Sequence, residues 1–385
     1  MESFREMTNH CIRIGLRDDV STLKRLSLLT YNELRGYEVP SCYKLSAISR
    51  AAGILSSRKK SARRGRITKD PFVSRHVLVS CYGFKIVNDH LVIPAGKRVK
   101  EFIRLNAHTL EVLSDPALTV RSFSLTEGSL SLSISKEVHG MKAEDLTNAV
   151  GVDRNLKNVT VGNAKQVTYY DLSKVVEITE NTRSVLKSLR RNDARINKRV
   201  SLKYGKRRVE RVRQILHRVS KDIVQNAKVK RQVIVFEEIE GIRRLYRKGN
   251  GQGRQFRGKM NAWQFDDLRQ MVEYKAAWEG VPVITLTTGQ TRGTTMDCPK
   301  CGERLQSAFP SDSEHYRQLW CDVCREWRDR DLVAVLNISR RGWVRFAQSK
   351  GGAGEAVKGN PEHEGESVIL RVDASKPGSR TRPMT

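Results

Sequence analysis

The pattern of apolar and polar positions changes along the chain, and each change predicts a different kind of structure. Residues 1–68 carry apolar side chains at helical spacing, as in "STLKRLSLLTYNELRG", and close with the basic stretch "SSRKKSARRGR". From about 69 to 147 the pattern becomes short alternating runs such as "HVLVSCYGFKIV". Alternation broken by turn residues favours a small antiparallel sheet or barrel. The first 147 residues are therefore expected to hold a helical region and then a β region.

A third pattern begins at about residue 148. "AVGVDRNLKNVTVGNAKQVTYYDL" indicates three short strands, and 180–230 is helical. The apolar run "QVIVF" (232–236) fits a strand covered on both faces, an amphipathic helix ends at Gly280, and "VPVITL" indicates another strand. A cysteine-rich insert and the helix "DLVAVLNISRRGW" follow. The order of three strands, helix, strand, helix, strand, insert and helix is that of the RNase H-like α/β nuclease fold.

Two segments lack a strong pattern. The Gly- and Arg-rich stretch "RRLYRKGNGQGRQFRGK" is polar and is expected to be mobile. Residues 346–385 are rich in Gly, Pro and Ser, and only "SVILRV" within them is expected to be ordered.

The charge of the chain adds information about its partner. There are 71 Lys and Arg against 42 Asp and Glu, a net charge of +29, and between Arg183 and Arg231 the ratio is 18 to 3. Such an excess favours binding to a polyanion, most simply nucleic acid. An anionic membrane is the rival partner, but there is no long apolar run, lipidation signal or signal peptide. These features predict a cytoplasmic, nucleoid-associated protein with no membrane partner.

Acidic residues stand at three places in the nuclease-like region. Asp153 lies in the first strand, Glu237 and Glu238 follow "QVIVF", and Asp329 and Asp331 open the last helix. Taken singly, each has an ordinary explanation: a turn former, the solvated end of a strand, or a helix N-cap. Because the first and fourth strands of this fold are neighbours and the last helix packs across them, the three places are expected to converge. Converging carboxylates in a basic chain predict a metal-dependent nuclease with two divalent cations.

The cysteines fall into two groups. Cys298 and Cys301 form one CxxC pair, Cys321 and Cys324 form another, and 19 residues separate the pairs. Four thiolates at this spacing predict a closed, structural Zn²⁺ site rather than a redox motif. The other three (Cys11, Cys42 and Cys81) have no pairing pattern and are expected to be reduced.

The stretches "GVDRN", "VIVFEEIEGIR", "CPKC…CDVC" and "DRDLVAVLNI", in this order, resemble the TnpB proteins of insertion sequences. Those proteins are RNA-guided DNA endonucleases related to compact type V CRISPR effectors. The likeness is strong over about 148–345 and weaker before it. It implies a helical recognition region (1–68), a small wedge-like β-barrel (69–147), a RuvC-like nuclease domain (148–345) with a zinc ribbon (296–326), and a largely disordered tail (346–385).

The resemblance also selects among the acids. It implies Asp153, Glu237 and Asp331 as the catalytic Mg²⁺ ligands, and leaves Glu238 on the opposite face and Asp329 as a helix-start acid. It implies a noncoding guide RNA and target DNA as partners, while the oligomeric state stays open. The basic helices and the Arg- and Gly-rich stretch would line the nucleic-acid channel, although a solvated helical face is the alternative. The predicted nucleic-acid-binding residues are Arg190, Arg191, Arg195, Arg199, Lys206, Arg207, Arg208, Arg211, Arg244, Arg247, Arg254 and Arg257.

Two other functions are compatible with the same residues. One is a nucleic-acid-binding protein without catalysis, such as a guide-directed repressor, but a decayed nuclease would be expected to lose at least one of the three acids. The other is an RNA-independent, structure-specific nuclease, because a fold does not fix a function. The RNA-guided endonuclease is the prediction carried forward.

Overall fold

The structure of the protein, a computed structural model, describes residues 1–66, 68–96, 98–189, 194–239, 241–247, 249–307, 317–349 and 366–375. The chain forms two compact units, Met1–Glu137 with Ser367–Thr385, and Val138–Glu366. Among the described residues, no helix combines the length and the hydropathy needed to cross a bilayer. The four-part division of the chain stays a prediction.

The first unit begins with helices, as the spacing of apolar residues predicts. They are α1 (Glu2–Arg17), α2 (Leu23–Thr30) and α3 (Ser41–Arg63), with a short 3₁₀ turn at Glu33–Gly36 and a later helix α4 (Ala107–Leu113). Helix α1 packs against α3. The buried apolar residues of this helical part include Phe4, Met7, Cys11, Ile12, Leu26, Leu34, Ala47, Ile48 and Leu55. These helices are therefore held by a core of their own.

The β region of the first unit consists of two open sheets. Its strands are β1 (Val77–Ser80), β2 (Lys85–Val87), β3 (His90–Pro94), β4 (Lys100–Arg104), β5 (Thr119–Thr126), β6 (Ser129–Val138) and β15 (Glu366–Ser375). They are ordered β1-β5-β6-β15 and β2-β3-β4. The part of the chain that the structure describes contains no closed sheet, so the expected small barrel is not shown. Alternation of side chains predicts that strands exist, but closure depends on which edges pair.

The tail contributes one strand to this unit. β15 covers the "SVILRV" motif, and the Ala374 carbonyl accepts a 2.8 Å hydrogen bond from the Asn106 N–H. Residues 346–349, where disorder is also expected, instead end the helix Arg330–Ser349, and Phe346 is buried. The remaining tail segments for which disorder is expected, 350–365 and 376–385, lie outside the described residues.

The second unit is built on a five-stranded mixed sheet. Its strands are β7 (Asn148–Arg154), β8 (Asn158–Asn163), β9 (Gln166–Asp171), β10 (Gln232–Glu237) and β11 (Val283–Leu286). The order is β11-β10-β7-β8-β9. β10 runs parallel to β7 and to β11, whereas β7, β8 and β9 are antiparallel. The first and fourth strands of this unit are therefore neighbours, as expected from the element order.

Helices cover both faces of this sheet. The helices of this unit are α5 (Ser173–Ser188), α6 (Ala194–Val229), α7 (Ile242–Leu245), α8 (Arg254–Ala262), α9 (Phe265–Glu279) and α10 (Arg330–Ser349). Ile234 and Phe236 of β10 belong to the apolar core that includes residues of α6 and α9. Val233 and Val235 belong to the opposite core, which includes residues of α10. The continuous apolar run "QVIVF" is therefore covered on both sides, as its composition predicts.

Helix α10 lies against the backbone of the sheet. A Cβ at Gly151 of β7 would overlap the Val335 carbonyl oxygen, and a Cβ at Gly342 of α10 would overlap the Val235 side chain. The Ser339 hydroxyl donates a 2.7 Å hydrogen bond to the Ala149 carbonyl. Two glycines thus allow the middle of α10 to pack closely against β7 and β10.

We expect Gly151→Ala to destabilise the protein by about 1–3 kcal/mol, because the added methyl group overlaps backbone atoms of α10 that have no side-chain freedom. A lowered urea midpoint would show this effect. Gly205→Ala is the matched control. Gly205 lies within α6, and apart from its own stretch of the helix no atom lies within 4 Å of the place a Cβ would occupy, so alanine there should stabilise the helix by about 0.5–1 kcal/mol. Equal urea midpoints for Gly151→Ala and Gly205→Ala would contradict the close packing of α10 against β7.

The cysteine insert between β11 and α10 forms a small antiparallel sheet. Its strands are β12 (Gln306–Ser307), β13 (Gln318–Cys321) and β14 (Glu326–Asp329), in the order β12-β13-β14. β13 and β14 form a hairpin in which Cys321 is opposite Glu326 and Gln318 is opposite Asp329. The last residue of the hairpin leads directly into α10.

Candidate active site and zinc module

The three carboxylates selected from the sequence line one cavity of about 330 Å³. Asp153 lies near the end of β7, Glu237 is the last residue of the adjacent β10, and Asp331 is the second residue of α10. Val152 is opposite Phe236 in the parallel pair, so Asp153 and Glu237 come next to each other at the same end of the sheet. The contact of α10 with β7 brings Asp331 to that end.

Each carboxylate accepts a hydrogen bond from an uncharged side chain. The bonds are Asn155 Nδ2 to Asp153 Oδ2 (2.8 Å), Thr294 Oγ1 to Glu237 Oε1 (2.8 Å) and Asn158 Nδ2 to Asp331 Oδ2 (2.9 Å). Asn155 and Asn158 lie in or beside the turn from β7 to β8, where the sequence pattern predicts only a loop. Thr294 follows β11 and carries no local signal that would have identified it. The three donors fix carboxylate orientations at the cavity wall.

The electrostatics of this cavity favour a bound cation. Burial raises the pKa of Asp153 to about 7, and the negative charges of Glu237 and Asp331 contribute to that rise. Burial also raises the pKa of Glu237, against the Thr294 hydrogen bond, which lowers it. Carboxylate oxygens are the ligands that hard divalent cations prefer. The residues present therefore fit Mg²⁺ by donor type and by the grouping of three carboxylates at one cavity.

Arg154 is a buried cation that lies behind the carboxylates. Unlike them, it was not expected from the sequence. It is 5% exposed, donates hydrogen bonds to the carbonyl oxygens of Glu237 and Phe265, and lies 5.3 Å from the centre of the Phe236 ring. Burial lowers its pKa to about 10, so it stays charged at neutral pH. Arg154 therefore ties the end of β10 to the start of α9. An arginine inside an otherwise buried strand was the available signal.

The remaining acids of the motifs have different surroundings. Asp329 Oδ1 accepts hydrogen bonds from the backbone N–H groups of Asp331 (2.9 Å) and Leu332 (3.0 Å), which makes it the cap of α10. Glu238 lines the same cavity as Glu237, although it was expected on the opposite face. Position alone therefore does not separate Glu237 from Glu238.

Arg317 reaches the site from the cysteine insert. Its Nη1 lies 2.6 Å from Asp331 Oδ2, the oxygen that also accepts the Asn158 bond. The side chain of Asp331 is 7% exposed and that of Arg317 is 34% exposed. No sequence motif marked Arg317.

The four cysteines of the insert form a compact sulfur cluster. All four Sγ atoms lie within 4.8 Å of one another; the Cys298–Cys324 distance is 3.9 Å and the Cys301–Cys321 distance is 3.5 Å. A tetrahedral site with Zn–S bonds of about 2.3 Å requires sulfurs about 3.8 Å apart. The cluster fits a structural zinc ion. Within the described ranges, no other group of three or more His, Cys, Asp or Glu ligand atoms is this tight.

The cysteine insert with its sulfur cluster is called the zinc module below. Helix α10 joins this module to the carboxylates. Val333 packs in the apolar cluster formed by Leu305, Leu319 and two of the cysteines. Asn337 donates hydrogen bonds to the carbonyl oxygens of Thr294 (2.9 Å) and Asp297 (2.7 Å). The residue that supplies the third carboxylate is thus two positions from one that completes the core of the zinc module.

The predicted nucleic-acid-binding residues lie mainly on helix α6 and on the segment before α9. Arg190 and Arg191 are outside the described residues, as is the side chain of Arg195. Arg208 and Arg257 are half-buried, and the Arg257 guanidinium donates a hydrogen bond to a backbone carbonyl. The exposed members of the set are Arg199, Lys206, Arg207, Arg211, Arg244, Arg247 and Arg254. Exposed basic side chains are available to phosphates, and their role stays a prediction.

Comparison with known proteins places this geometry in a family. Residues 265–338, which span α9, β11, the zinc module and the start of α10, match the family model described as "Cas12f1-like, TNB domain". The TnpB-like protein MJ0751 of Methanocaldococcus jannaschii is 30% identical over 200 residues, which cover 49% of this chain and 67% of that protein. The chain belongs to the TnpB family.

Two further comparisons extend this assignment. The TnpB-like protein MJ1635 of the same organism is 24% identical over 215 residues, or 54% of this TnpB-family chain and 46% of the relative. The cryo-EM structure of the Cas12f1-sgRNA-target DNA complex contains a chain that matches with a TM-score of 0.59 at 14% identity, covering 88% of this protein and 80% of that chain. The structural match shows that this chain shares the fold of that Cas12f1 chain, which agrees with the RNase H-like order of elements expected from the sequence.

Proposed function

We propose that this TnpB-family protein is an RNA-guided DNA endonuclease of a transposable element. The observation that supports the proposal most directly is the convergence of Asp153, Glu237 and Asp331 on one cavity of a RuvC-like fold. The first two come from adjacent parallel strands and the third from the helix that crosses them. Divalent-metal nucleases require such convergence from separate elements.

The chain's own residues would prepare this cavity for hydrolysis of a phosphodiester. Asp153, Glu237 and Asp331 would hold Mg²⁺, which when bound supplies an activated water and a stabilised leaving oxygen. Arg154 fixes the backbone of Glu237 and places a permanent positive charge behind the carboxylates. Asn155 orients the Asp153 carboxylate by its 2.8 Å hydrogen bond.

The basic residues support nucleic acids as partners. The chain carries a net charge of +29, and exposed basic residues such as Arg207 and Arg211 lie on α6. The Cas12f1 structure that shares this fold is a complex with sgRNA and target DNA. We propose a noncoding guide RNA and a complementary DNA strand as the partners of this protein.

One experiment separates this function from its rivals. The protein is purified from cells that express its flanking DNA, bound RNA is sequenced, and the complex is given a randomised DNA library with Mg²⁺. A discrete RNA together with cutting of matched DNA supports the proposal. RNA without cutting favours a guide-directed binding protein, and cutting of branched DNA without RNA favours a structure-specific nuclease.

Neutralising the α6 surface should weaken RNA binding in a salt-dependent way. Arg207→Gln and Arg211→Gln each remove one exposed charge, so the slope of log affinity against log salt should fall by about 0.7–0.9 for each phosphate that is no longer neutralised. Filter binding at several salt concentrations measures this slope. Lys142→Gln, at another exposed position, is the control, and a variant slope equal to that of the control would remove Arg207 and Arg211 from the interface.

A further inference from the structure

We propose that Arg317 is a built-in counter-ion of the carboxylate site, which competes with a metal ion for Asp331. The inference rests on the proposed function, because it concerns the same three carboxylates. It assigns to the zinc module a role in controlling the site in addition to its structural role.

The contact between Arg317 and Asp331 is direct. Arg317 Nη1 lies 2.6 Å from Asp331 Oδ2, and Asn158 Nδ2 lies 2.9 Å from the same oxygen. This oxygen therefore already accepts two hydrogen bonds, one of them charge-assisted, which is the stronger kind. A cation that uses this oxygen has to replace at least one of the two donors.

The zinc module fixes the backbone that carries Arg317. Arg317 immediately precedes β13, and its carbonyl accepts a 2.8 Å hydrogen bond from the Arg330 N–H, immediately after β14. The two residues thus close one end of the β13–β14 hairpin. Cys321 and Cys324 lie at its other end, so a zinc ion there would hold both strands in register.

The charges around the cavity explain why a cationic side chain lies there. The three carboxylates repel one another, and the positive groups near them include Arg154, Arg330 and Arg341 in addition to Arg317. Arg154 is committed to backbone carbonyls and is buried. The Arg317 side chain is one-third exposed, so its guanidinium is the more accessible of the two.

A divalent cation and the Arg317 guanidinium would compete in two ways. They would compete for the Asp331 oxygen, and their like charges would repel each other across a partly buried cavity. Loss of the guanidinium should therefore strengthen binding of the metal ion. If Arg317 had a purely structural role, its loss would instead let Asp331 move and would weaken metal binding.

The test compares Arg317→Gln with the wild-type protein in the full-length, zinc-loaded chain. Mn²⁺ binding is measured by titration calorimetry, and thermal unfolding is followed with and without Mn²⁺. We expect Arg317→Gln to bind Mn²⁺ about tenfold more tightly, since a competing charge is removed. We also expect it to melt at a lower temperature without Mn²⁺, because a buried carboxylate has lost its partner, and to be stabilised by Mn²⁺ more than the wild type is.

Two controls make the result specific. Arg304→Gln removes an exposed arginine from the same insert and should leave Mn²⁺ binding unchanged. Asp153→Asn removes one of the proposed ligands and should abolish the binding that Arg317→Gln strengthens.

If Arg317→Gln binds Mn²⁺ with unchanged or lower affinity, the proposed role of Arg317 is overturned. The proposed nuclease function still stands in that case if the wild type binds Mn²⁺ through Asp153 and cleaves DNA. Failure of both proteins to bind Mn²⁺ through Asp153 would overturn the metal site itself and the inference with it. The two failures are therefore distinguishable.

Discussion

Replacing Asp153 with alanine is expected to lower the rate of DNA cleavage by about a thousandfold or more while RNA binding is retained. The carboxylate lies in a cavity with Glu237 and Asp331, and its loss removes a ligand whose contribution to transition-state stabilisation is several kcal/mol. RNA binding depends on basic surfaces and should not change. The measurements are single-turnover cleavage of matched DNA with Mg²⁺ and RNA affinity by filter binding.

A neighbouring pair of acids provides the matched comparison for this prediction. Glu237→Gln should reduce cleavage as strongly as Asp153→Ala, whereas Glu238→Gln should retain it. The pair is informative because both side chains line the same cavity. The cleavage rates of the two variants therefore decide which of the two carboxylates is the metal ligand. Near-normal cleavage by Asp153→Ala, or loss of cleavage in Glu238→Gln with retention in Glu237→Gln, would contradict the assignment of ligands.

The sheet of the second unit could be predicted because its signals are local. "QVIVF" is continuous in apolar residues since both faces of β10 are covered, by α6 and α9 on one side and by α10 on the other. The turn between β7 and β8 begins with Asn155, a residue that favours turns, whereas Gly162 and Asn163, also turn formers, lie within β8 and the turn to β9 is Ala164–Lys165. Acids at the ends of these elements were then expected at one edge of the sheet.

The contacts that complete the site could not be predicted in the same way. Arg154 bonds to the Glu237 carbonyl across 83 residues of sequence, and Thr294 bonds to Glu237 across 57. Neither contact has a spacing that a periodic pattern would show. The Arg317 contact depends on how the β13–β14 hairpin is closed, which is a property of the folded module rather than of its sequence motif.

The polar segment between β10 and α9 illustrates a second limit. It is expected to be mobile because it is rich in Gly and Arg, yet the structure has α7 and α8 within it. Tyr246 and Phe256 make a ring contact at 5.6 Å, and Met260 is buried. A few apolar contacts are enough to order short helices when the neighbouring structure supplies the other surface.

Loss of one zinc ligand is expected to have the second largest effect. Cys321→Ser should remove zinc from the protein, unfold the β12–β14 module and reduce cleavage by about a hundredfold or more. The reason is that zinc binding at such sites is worth about 10–16 kcal/mol, and the module has only a small apolar cluster of its own. Val333 of α10 belongs to that cluster, so the start of α10 would lose packing and Asp331 would lose its position.

Zinc content by mass spectrometry, cleavage rate and hydrogen exchange at the start of α10 measure these consequences together. Exchange should rise over the first turns of α10 but not in β7 and β10, whose core is formed largely by α6, α9 and the rest of α10. Cys81→Ser, at an exposed cysteine outside the sulfur cluster, is the matched control and should leave all three readouts unchanged. Full cleavage by a zinc-free Cys321→Ser protein would mean that α10 is positioned by the sheet alone, through the close approach at Gly151.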